Sequence, residues 1–564
     1  MNKIFYTALA FVLGFVLWSC EDDFLDVKNV ETGVSVEDMY SRYSTMQGAL
    51  WEAYSYLPDG FSGLWREAAT DVAEATSEVI VSQVFNLGIW NEFFNPDNVW
   101  EHNFRGIDQA NRFLANRHKV NIDHIRSNST DGDSTQYFNA LKNIEFMEGE
   151  ALFLKAFFYF ELMKRYGGVP IINEPLDYYD ASSWKGLDRN TLDETIKYIE
   201  ALCDLAADVI PESMASYSWY EDGRVTFGAI KALKARTLLY AASPLYKAAG
   251  STVTWADAAA AANEVIKTGQ YNLSTSYATL FGASNATARE FIFKRRYGGL
   301  NWLEFNQFPI SFVGSNGFSY APTQDFVDQF EVVTGSGATL TSVDFDWDNP
   351  SHAEDPYANR DLRFSATVIH NGATFKGSTI ETFYGGNDGL PRQNATKTGY
   401  YLKKWVIPTV DLVNNTTANH TWCYFRYADI LLMYSEAALN AWGPDFVPEA
   451  GEYSLTAVQA FNLVRARARV EPLTAGDLDL GRIERERLVE LSFEDHRYWD
   501  ARRWGKGVEI LGKPVDRIVI TQTETGFEYE VVELEKRSYT SKMDWYPIPQ
   551  SEITKTGWPQ NGLW

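Results

Sequence analysis

The segment of residues 145–172 constrains the fold more than any other, because it predicts a long helix that needs cover on several sides. Its apolar residues recur with helical spacing, at Met147, Ala151, Leu154, Phe158 and Leu162. Three further rings widen this stripe until little surface is left for water, namely Phe153, Phe157 and Phe160. Gly167 and Gly168 suit a left-handed C-terminal cap, and Pro170 prevents continuation. Other helices must supply the cover.

Several more segments have the periodicity or the end signals of helices. They are residues 41–56, 64–81, 99–116, 191–209, 226–242, 255–268, 425–441, 455–469 and 482–493. Thr254 and Asp257 form a capping pattern at the start of one of them. The last segment is dense in charge, which indicates a solvated face with internal ion pairs formed by Glu484, Arg485, Glu486, Arg487 and Glu490. Helix pairs joined by short turns suggest a repeat stack, although no 34-residue tetratricopeptide consensus is present.

Two stretches lack this periodicity. Residues 83–100 are dense in Trp, Phe and Asn and are predicted to form an ordered loop, a kind of segment that often carries function. Residues 290–410 are rich in Gly, Pro, Asn and aromatic residues, with short strand-like runs at 291–293 and 367–369. We therefore expect a helical region over residues 41–289, followed by a region over residues 290–564 in which helices return after a loop-rich insert at 290–410.

Composition and cysteine usage exclude some classes of protein. The formal net charge is -25, which argues against nucleic-acid binding because phosphate backbones require clustered Lys and Arg. No two of the three cysteines lie at a spacing that suggests a metal site or a redox pair. The seven histidines include no HExxH motif, and no GxSxG motif is present. We expect no cofactor, no metal and no catalytic residues.

Cys20 has a separate context at the N-terminus. Lys3 provides a basic start, residues 4–17 are apolar, and Trp18-Ser19-Cys20 follows. This run is shorter than the ~20 residues of a membrane span and is typical of a signal peptide. Leu17 to Cys20 resembles a bacterial lipobox, although Trp18 is bulkier than usual. We therefore predict a signal peptide over residues 1–19, lipidation of Cys20 and an acidic tether over residues 20–40, with cleavage without lipidation as the alternative.

Several motifs together, in this order and behind a lipoprotein signal, resemble the SusD/RagB family of nutrient-binding outer-membrane lipoproteins of Bacteroidetes. They include WEHNFRGIDQAN at 100–111, residues 150–170, RVTFGAIKALKARTLLYAASPLY at 224–246 and PTQDFVDQF at 322–330. Later matches are FRYADILLMYSEAA at 425–438, RARARV at 465–470, ERERLVELSFEDHRYWDARRWG at 484–505 and YPIPQSEI at 546–553. The resemblance covers nearly the whole chain.

The resemblance implies a mostly α fold, in which tetratricopeptide-like helix pairs form a superhelical scaffold for a loop-rich ligand-binding region. It also implies a cell-surface protein, anchored to the outer membrane by lipid, that partners a SusC-like TonB-dependent transporter. The ligand expected from the resemblance is a glycan, with oligopeptides as the alternative on the same scaffold. A glycoside hydrolase is a more distant alternative, because it needs only two suitably spaced carboxylates.

Ligand contacts are expected from aromatic residues in loops, because sugar rings present apolar C–H faces to Trp and Tyr. The candidates are Trp90, Trp219, Tyr220, Tyr297, Trp302, Tyr320 and Tyr384, with Asn91, Asn301 and Asn316 as polar partners. Each ring has core packing as its alternative, since Trp is highly buried on average.

One acidic stretch partly matches a calcium-binding loop. Its first three ligand positions are matched by Asp344, Asp346 and Asp348, but later positions do not match. The pattern therefore favours a solvated acidic turn.

Overall fold

The computed structural model describes residues 36–564, apart from residues 79, 128–134, 178–179, 181–184, 284 and 449–450. Helices dominate this part of the chain. The scaffold helices are α1 (Tyr43–Ser55), α2 (Trp100–Asn116), α3 (Thr135–Tyr166), α4 (Leu192–Val209), α5 (Phe227–Ala242), α6 (Trp255–Lys267), α7 (Tyr427–Trp442), α8 (Ala457–Ala468), α9 (Leu480–Leu491) and α10 (Arg497–Arg503). No helix in the described ranges is both long enough and apolar enough to cross a membrane.

Helices α1 to α8 pack in chain order, each against the next. Helix α3 lies near the middle of this series and is buried on almost all sides from Glu150 onward. Neighbouring glycines allow the close approach, since a Cβ at Gly106 of α2 would lie 2.7 Å from the Phe158 ring. The predominantly helical fold predicted from the sequence is confirmed.

The ends of the scaffold helices follow the sequence signals. Gly167 has a φ of 74°, and its N–H donates to the carbonyl of Met163 at 3.0 Å, which closes α3. The predicted capping pattern of Thr254 and Asp257 is present at the start of α6. Thr191 starts α4 in the same way.

Shorter helical segments connect the scaffold. They are Val36–Ser41, Phe61–Ala69, Val81–Asn86, Arg117–Lys119, Asp123–Ser127, Pro244–Ala248, Tyr277–Leu280, Asn285–Thr287, Trp302–Gln307, Gln324–Val327, Gly337–Thr339, Pro350–Glu354, Leu362–Thr367, Gly507–Leu511, Ser541–Asp544 and Gln550–Thr556. The segment Val36–Ser41 includes the last residues of the predicted tether. The signal peptide, Cys20 and tether residues up to 35 lie outside the described residues.

The prediction of a helix at residues 64–81 is wrong. A 3-10 helix covers Phe61–Ala69, and a short strand at Ala73–Ala75 pairs with Tyr320–Pro322. The Thr70 hydroxyl donates to the carbonyl of Glu67 at 2.8 Å and accepts from the Val72 N–H at 3.1 Å. This local bonding competes with helical bonding and turns the chain into the strand.

The strands occur in antiparallel pairs. In the two longest pairs, β1 (Phe291–Leu300) pairs with β2 (Ala418–Arg426), and β3 (Val515–Gln522) pairs with β4 (Phe527–Glu535). The remaining pairs are Ala73–Ala75 with Tyr320–Pro322, Val332–Thr334 with Thr341–Val343, Val368–Ile369 with Tyr401–Leu402, and Thr374–Phe375 with Ser378–Thr379. The expected strands at 291–293 and 367–369 are present, the second starting at Val368.

The loop-rich insert has its own small core beside the large helical core. It is formed by Phe308, Ile369, Phe375, Ile380, Tyr401, Val406, Ile407 and Val410. Ile369, Tyr401 and Phe375 of this core lie on short strand pairs of the insert, so the core packs these strands together.

The expectation of a solvated charged face on α9 is wrong for three of the five charged residues that it named. Glu486, Arg487 and Glu490 are buried, and Glu490 has no exposed surface. Its carboxylate accepts from Arg426 at 2.6 Å and from Arg363 at 3.0 Å. Burial alone raises the pKa of a carboxyl, but these guanidinium groups together with Arg467 lower the pKa of Glu490 well below its ordinary value. Periodicity did not reveal this network because its partners come from distant segments.

Candidate functional site

An open pocket of about 700 Å³ lies between two loops of the insert. One loop follows the helix Trp302–Gln307, and the other precedes the buried residues Ala395 and Thr396. The lining side chains are mostly amides and hydroxyls, with one guanidinium and one aliphatic group: Ile310, Ser311, Ser315, Asn316, Asn387, Arg392, Gln393 and Asn394. Such a lining offers several hydrogen-bonding groups to a polar ligand.

Direct bonds hold the two loops together. The side-chain amide of Asn394 donates to the backbone carbonyl of Asn316 at 3.0 Å. The Ser311 N–H donates to the buried carboxylate of Asp388 at 2.9 Å, and the other oxygen of Asp388 accepts from the Glu381 N–H at 3.2 Å. The pocket is therefore formed before a ligand arrives.

Some lining groups are used by the loops themselves. The Asn316 side chain donates to Asn306 at 2.8 Å and accepts from the Phe318 N–H at 2.9 Å. The Ser315 hydroxyl donates to the carbonyl of Phe308 at 2.7 Å. Gln393 makes no side-chain hydrogen bond with another described residue, so its amide is available to a ligand.

Exposed aromatic rings occur on the two loops that form the pocket. Phe318 is 50% exposed and Tyr384 is 65% exposed. Phe305, in the helix that precedes the first loop, is also exposed, and its carbonyl accepts from the Asn316 N–H at 2.9 Å. Rings and amides on the same loops are the combination that sugar recognition requires.

Trp90, a predicted ligand contact, is 2% exposed and lies in the core. Its ring packs against Phe85, Tyr546 and Trp564 with centroid distances of 5.1, 4.9 and 4.8 Å. The side-chain amide oxygen of Asn91 accepts from the N–H groups of Phe93 and Phe94 and forms a turn. This geometry contradicts the prediction that the Trp90 ring is available for a ligand, because distant rings cover it.

Trp219 and Tyr220 are half-buried, and both rings pack against Phe146 of helix α3. The Trp219 ring stacks on Phe146 at 5.8 Å, and the Tyr220 hydroxyl donates to the carbonyl of Val225 at 2.6 Å. The Arg224 guanidinium lies 4.1 Å from the centre of the Tyr220 ring. Both rings therefore have packing roles, and neither lines the polar pocket.

Tyr297 and Trp302 are brought together by Phe61, at centroid distances of 5.4 and 6.5 Å. Asn301 precedes Trp302 and donates from its side chain to Asn415 at 2.8 Å. Tyr320 lies in the strand opposite Ala75. These predicted residues are half-buried and form part of the frame behind the insert loops.

Among the predicted residues, Asn316 lines the pocket, and Tyr384 lies on the second loop outside the lining. The remaining predicted residues are not part of the lining. Sequence reasoning did not single out Ser311, Ser315, Asn387, Arg392, Gln393 or Asn394. The polar run Arg392-Gln393-Asn394 inside the insert is the signal that could have indicated them.

A second exposed surface occurs in the loop predicted at residues 83–100. Its first residues belong to the helix Val81–Asn86, and the following turn exposes Leu87, Ile89, Phe93 and Phe94. Phe93 is 77% exposed. This surface is apolar, in contrast to the polar pocket.

The acidic turn shows no cation geometry. Asp344 contacts Arg482 and Arg485, and the N–H of Asp348 donates to Asp346 at 2.9 Å. No group of potential metal ligands is found among the described residues. The two other cysteines, Cys203 and Cys423, are buried thiols.

Two family models match the chain. The model described as SusD family matches residues 289–564, and the model described as starch-binding associating with outer membrane matches residues 23–239. Comparison with curated proteins found no match.

Solved structures with the same fold cover nearly the whole chain. A SusD-like protein from Bacteroides fragilis is 23% identical with a TM-score of 0.73, covering 93% of this chain and 98% of its own. A SusD-like carbohydrate-binding protein from the same species is 22% identical with a TM-score of 0.72, covering 92% and 99%. Surface glycan-binding protein A from Bacteroides uniformis is 19% identical with a TM-score of 0.60, covering 92% and 99%. These likenesses establish the fold.

Proposed function

The chain belongs to the SusD/RagB family, and from this premise we propose that it captures a glycan at the cell surface and delivers it to a SusC-like TonB-dependent transporter. The description of the matching family as starch-binding and associated with the outer membrane supports this proposal. Two similar solved structures are a carbohydrate-binding protein and a glycan-binding protein, which supports it further. Lipid attachment at Cys20 provides the anchor in this proposal.

The observation that carries the proposal is the polar pocket with exposed rings on its own loops. Tyr384 and Phe318 offer flat apolar faces, and Gln393 offers an amide for sugar hydroxyls. Sugar rings combine apolar C–H faces with hydroxyls, so they match both kinds of group. We therefore place the glycan in this pocket.

Binding without cleavage is the second part of the proposal. The residues that line the pocket include no carboxylate, whereas glycoside hydrolysis requires two carboxyl groups flanking the scissile bond. Carboxyls with raised pKa values occur elsewhere, for example Glu67 and Asp328, and neither lines the pocket.

The test is incubation of the purified protein with a panel of oligosaccharides and oligopeptides. We expect saturable binding to at least one glycan, measured by calorimetry, and no product by chromatography. Preferential binding of peptides would support the oligopeptide alternative. Product release at an enzymatic rate, abolished by one carboxylate substitution, would make the protein a hydrolase.

Partnership with a transporter has its own test. The protein is tagged, purified from outer membranes in mild detergent and examined for a co-purifying TonB-dependent transporter. Recovery of the tagged protein without a transporter, from cells that express one beside it, would contradict this part of the proposal.

A further inference from the structure

We propose that the polar pocket is selective for anionic glycans, which carry the carboxylate of a uronic acid or a sulfate ester. This inference rests on the proposed function and names the class of sugar. The observation behind it is that, among the described residues, Arg392 is the one charged residue that lines the pocket.

The Arg392 guanidinium is held in place by its own loop. Its Nε donates to the carbonyl of Gly386 at 2.8 Å, and one terminal nitrogen donates to the side chain of Asn387 at 3.0 Å. These two bonds leave further N–H donors of the five that a guanidinium carries. A fixed fork of donors matches the geometry of a carboxylate or a sulfate.

The two carboxylates of this loop, Asp388 and Glu381, form no direct ion pair with Arg392, although the Asn387 side chain bridges Arg392 and Glu381. Asp388 is fully buried, and its two oxygens accept from the backbone N–H groups of Ser311 and Glu381. The Glu381 carboxylate accepts from the Asn387 side chain at 2.5 Å. Arg392 therefore has no carboxylate partner among the described residues.

Arg392 is an exposed arginine in a chain with 75 acidic and 50 basic residues. Arg363 and Arg426 contact carboxylates, whereas Arg392 contacts only a carbonyl oxygen and an amide oxygen. The negative charge elsewhere opposes an anionic ligand only weakly, because exposed charges more than ~8 Å away are largely screened at physiological salt. A ligand can supply the missing anion.

Neighbouring groups suit the rest of such a ligand. The Gln393 amide lies next to Arg392 in the lining, and Tyr384 is exposed on the same loop. An anionic sugar placed there would contact the guanidinium with its acid group and the amide with its hydroxyls. A neutral sugar would leave the guanidinium without an anion.

The test compares acidic polysaccharides with matched neutral forms. Each uronate polymer of a plant, algal and animal panel is measured beside its carboxyl-reduced form, and each sulfated polymer beside its desulfated form. We expect the acidic form of the bound glycan to bind about tenfold more tightly than its neutral form. Loss of binding on carboxyl reduction identifies a uronate, and loss on desulfation identifies a sulfate ester.

Variants assign the selectivity to one residue. Arg392→Gln should weaken binding of the acidic form about tenfold and leave binding of the neutral form unchanged, while Arg392→Lys should retain part of the preference. Arg105→Gln removes the same charge from an exposed site on α2 and should change neither affinity.

Each outcome decides between the inference and the function on which it rests. Equal binding of acidic and neutral forms, or an equal loss of both in Arg392→Gln, overturns the inference but leaves glycan capture standing. The absence of binding to every glycan in the panel overturns both.

Discussion

The side-chain amide of Asn394 donates to the backbone carbonyl of Asn316 at 3.0 Å, and this bond joins the two loops that form the polar pocket. Gly317, the next residue, has a φ of 70°. A Cβ at this position would lie 2.4 Å from the carbonyl oxygen of Asn394. The contact between the loops therefore requires both a left-handed backbone and the absence of a side chain.

Gly317→Ala should separate the two loops and weaken glycan binding about tenfold, because the clash is with backbone that must move. Gly372→Ala is the matched control, since Gly372 has a φ of 80° and nothing within 4 Å of its Cβ position. Both variants should lose roughly 1–2 kcal/mol of stability from backbone strain. Calorimetric titration and thermal unfolding check the two effects, and equal affinities in the two variants would contradict the arrangement.

Tyr384→Ala should weaken glycan binding ~10- to 30-fold, because an aromatic anchor at a binding surface contributes up to ~2 kcal/mol. Its melting temperature should stay close to that of the parent, since the ring is 65% exposed. Phe93→Ala removes an exposed ring from the apolar surface and should leave affinity unchanged. A larger loss of affinity in Phe93→Ala than in Tyr384→Ala would move the site to that surface.

Glu490→Gln should destabilise the protein by ~3–5 kcal/mol, because it leaves buried guanidinium groups without their shared anion. Glu484→Gln on the same helix is the control, since Glu484 pairs with the partly exposed Lys506 at 2.7 Å. We expect less than ~1 kcal/mol from the control. Denaturant unfolding measures both changes, and similar losses would show that the buried network contributes little.

The stability of the protein should depend on pH through Glu67. Burial, with the neighbouring Asp495 carboxylate, raises the pKa of Glu67 to about 8. Because the pKa is higher in the folded protein, the contribution of Glu67 to the free energy of unfolding is complete below its pKa in the unfolded chain, ~4.3. This contribution is lost as the pH rises towards 8. The parent should lose about 1.4 kcal/mol per pH unit across this window relative to Glu67→Gln. The prediction is refuted if the free energies of unfolding of the parent and of Glu67→Gln change equally with pH between pH 5 and 8.

Cys20→Ala should release the protein from the membrane fraction, because lipid chains on Cys20 are the predicted anchor. Cell fractionation of parent and variant measures the change, and mass spectrometry of the mature N-terminus detects the lipid. Cys203→Ala changes a buried thiol and should leave fractionation unchanged. Firm membrane association of Cys20→Ala without a lipid on the parent would show that the lipoprotein prediction is wrong.

Much of the helical scaffold could be predicted because its signals are local. The apolar stripe of α3, its cap at Gly167 and the pairing of Thr254 with Asp257 depend on residues a few positions apart. The false helix at residues 64–81 had similar periodicity, but Thr70 bonds the backbone and ends it. Burial of Trp90 could not be predicted, since its cover comes partly from Tyr546 and Trp564 at the other end of the chain.

The sequence by itself determined most of the scaffold helices, their order and the family, because the apolar period, the caps and the motifs depend on neighbouring residues. Only the tertiary structure decided which loops meet and which charges are buried. Asn316 and Asn394 are 78 positions apart, and Arg363 and Glu490 are 127 apart. Such pairs depend on how distant segments pack, so a local pattern can indicate polar residues but not which loops meet at the pocket or which charges join the buried ion network.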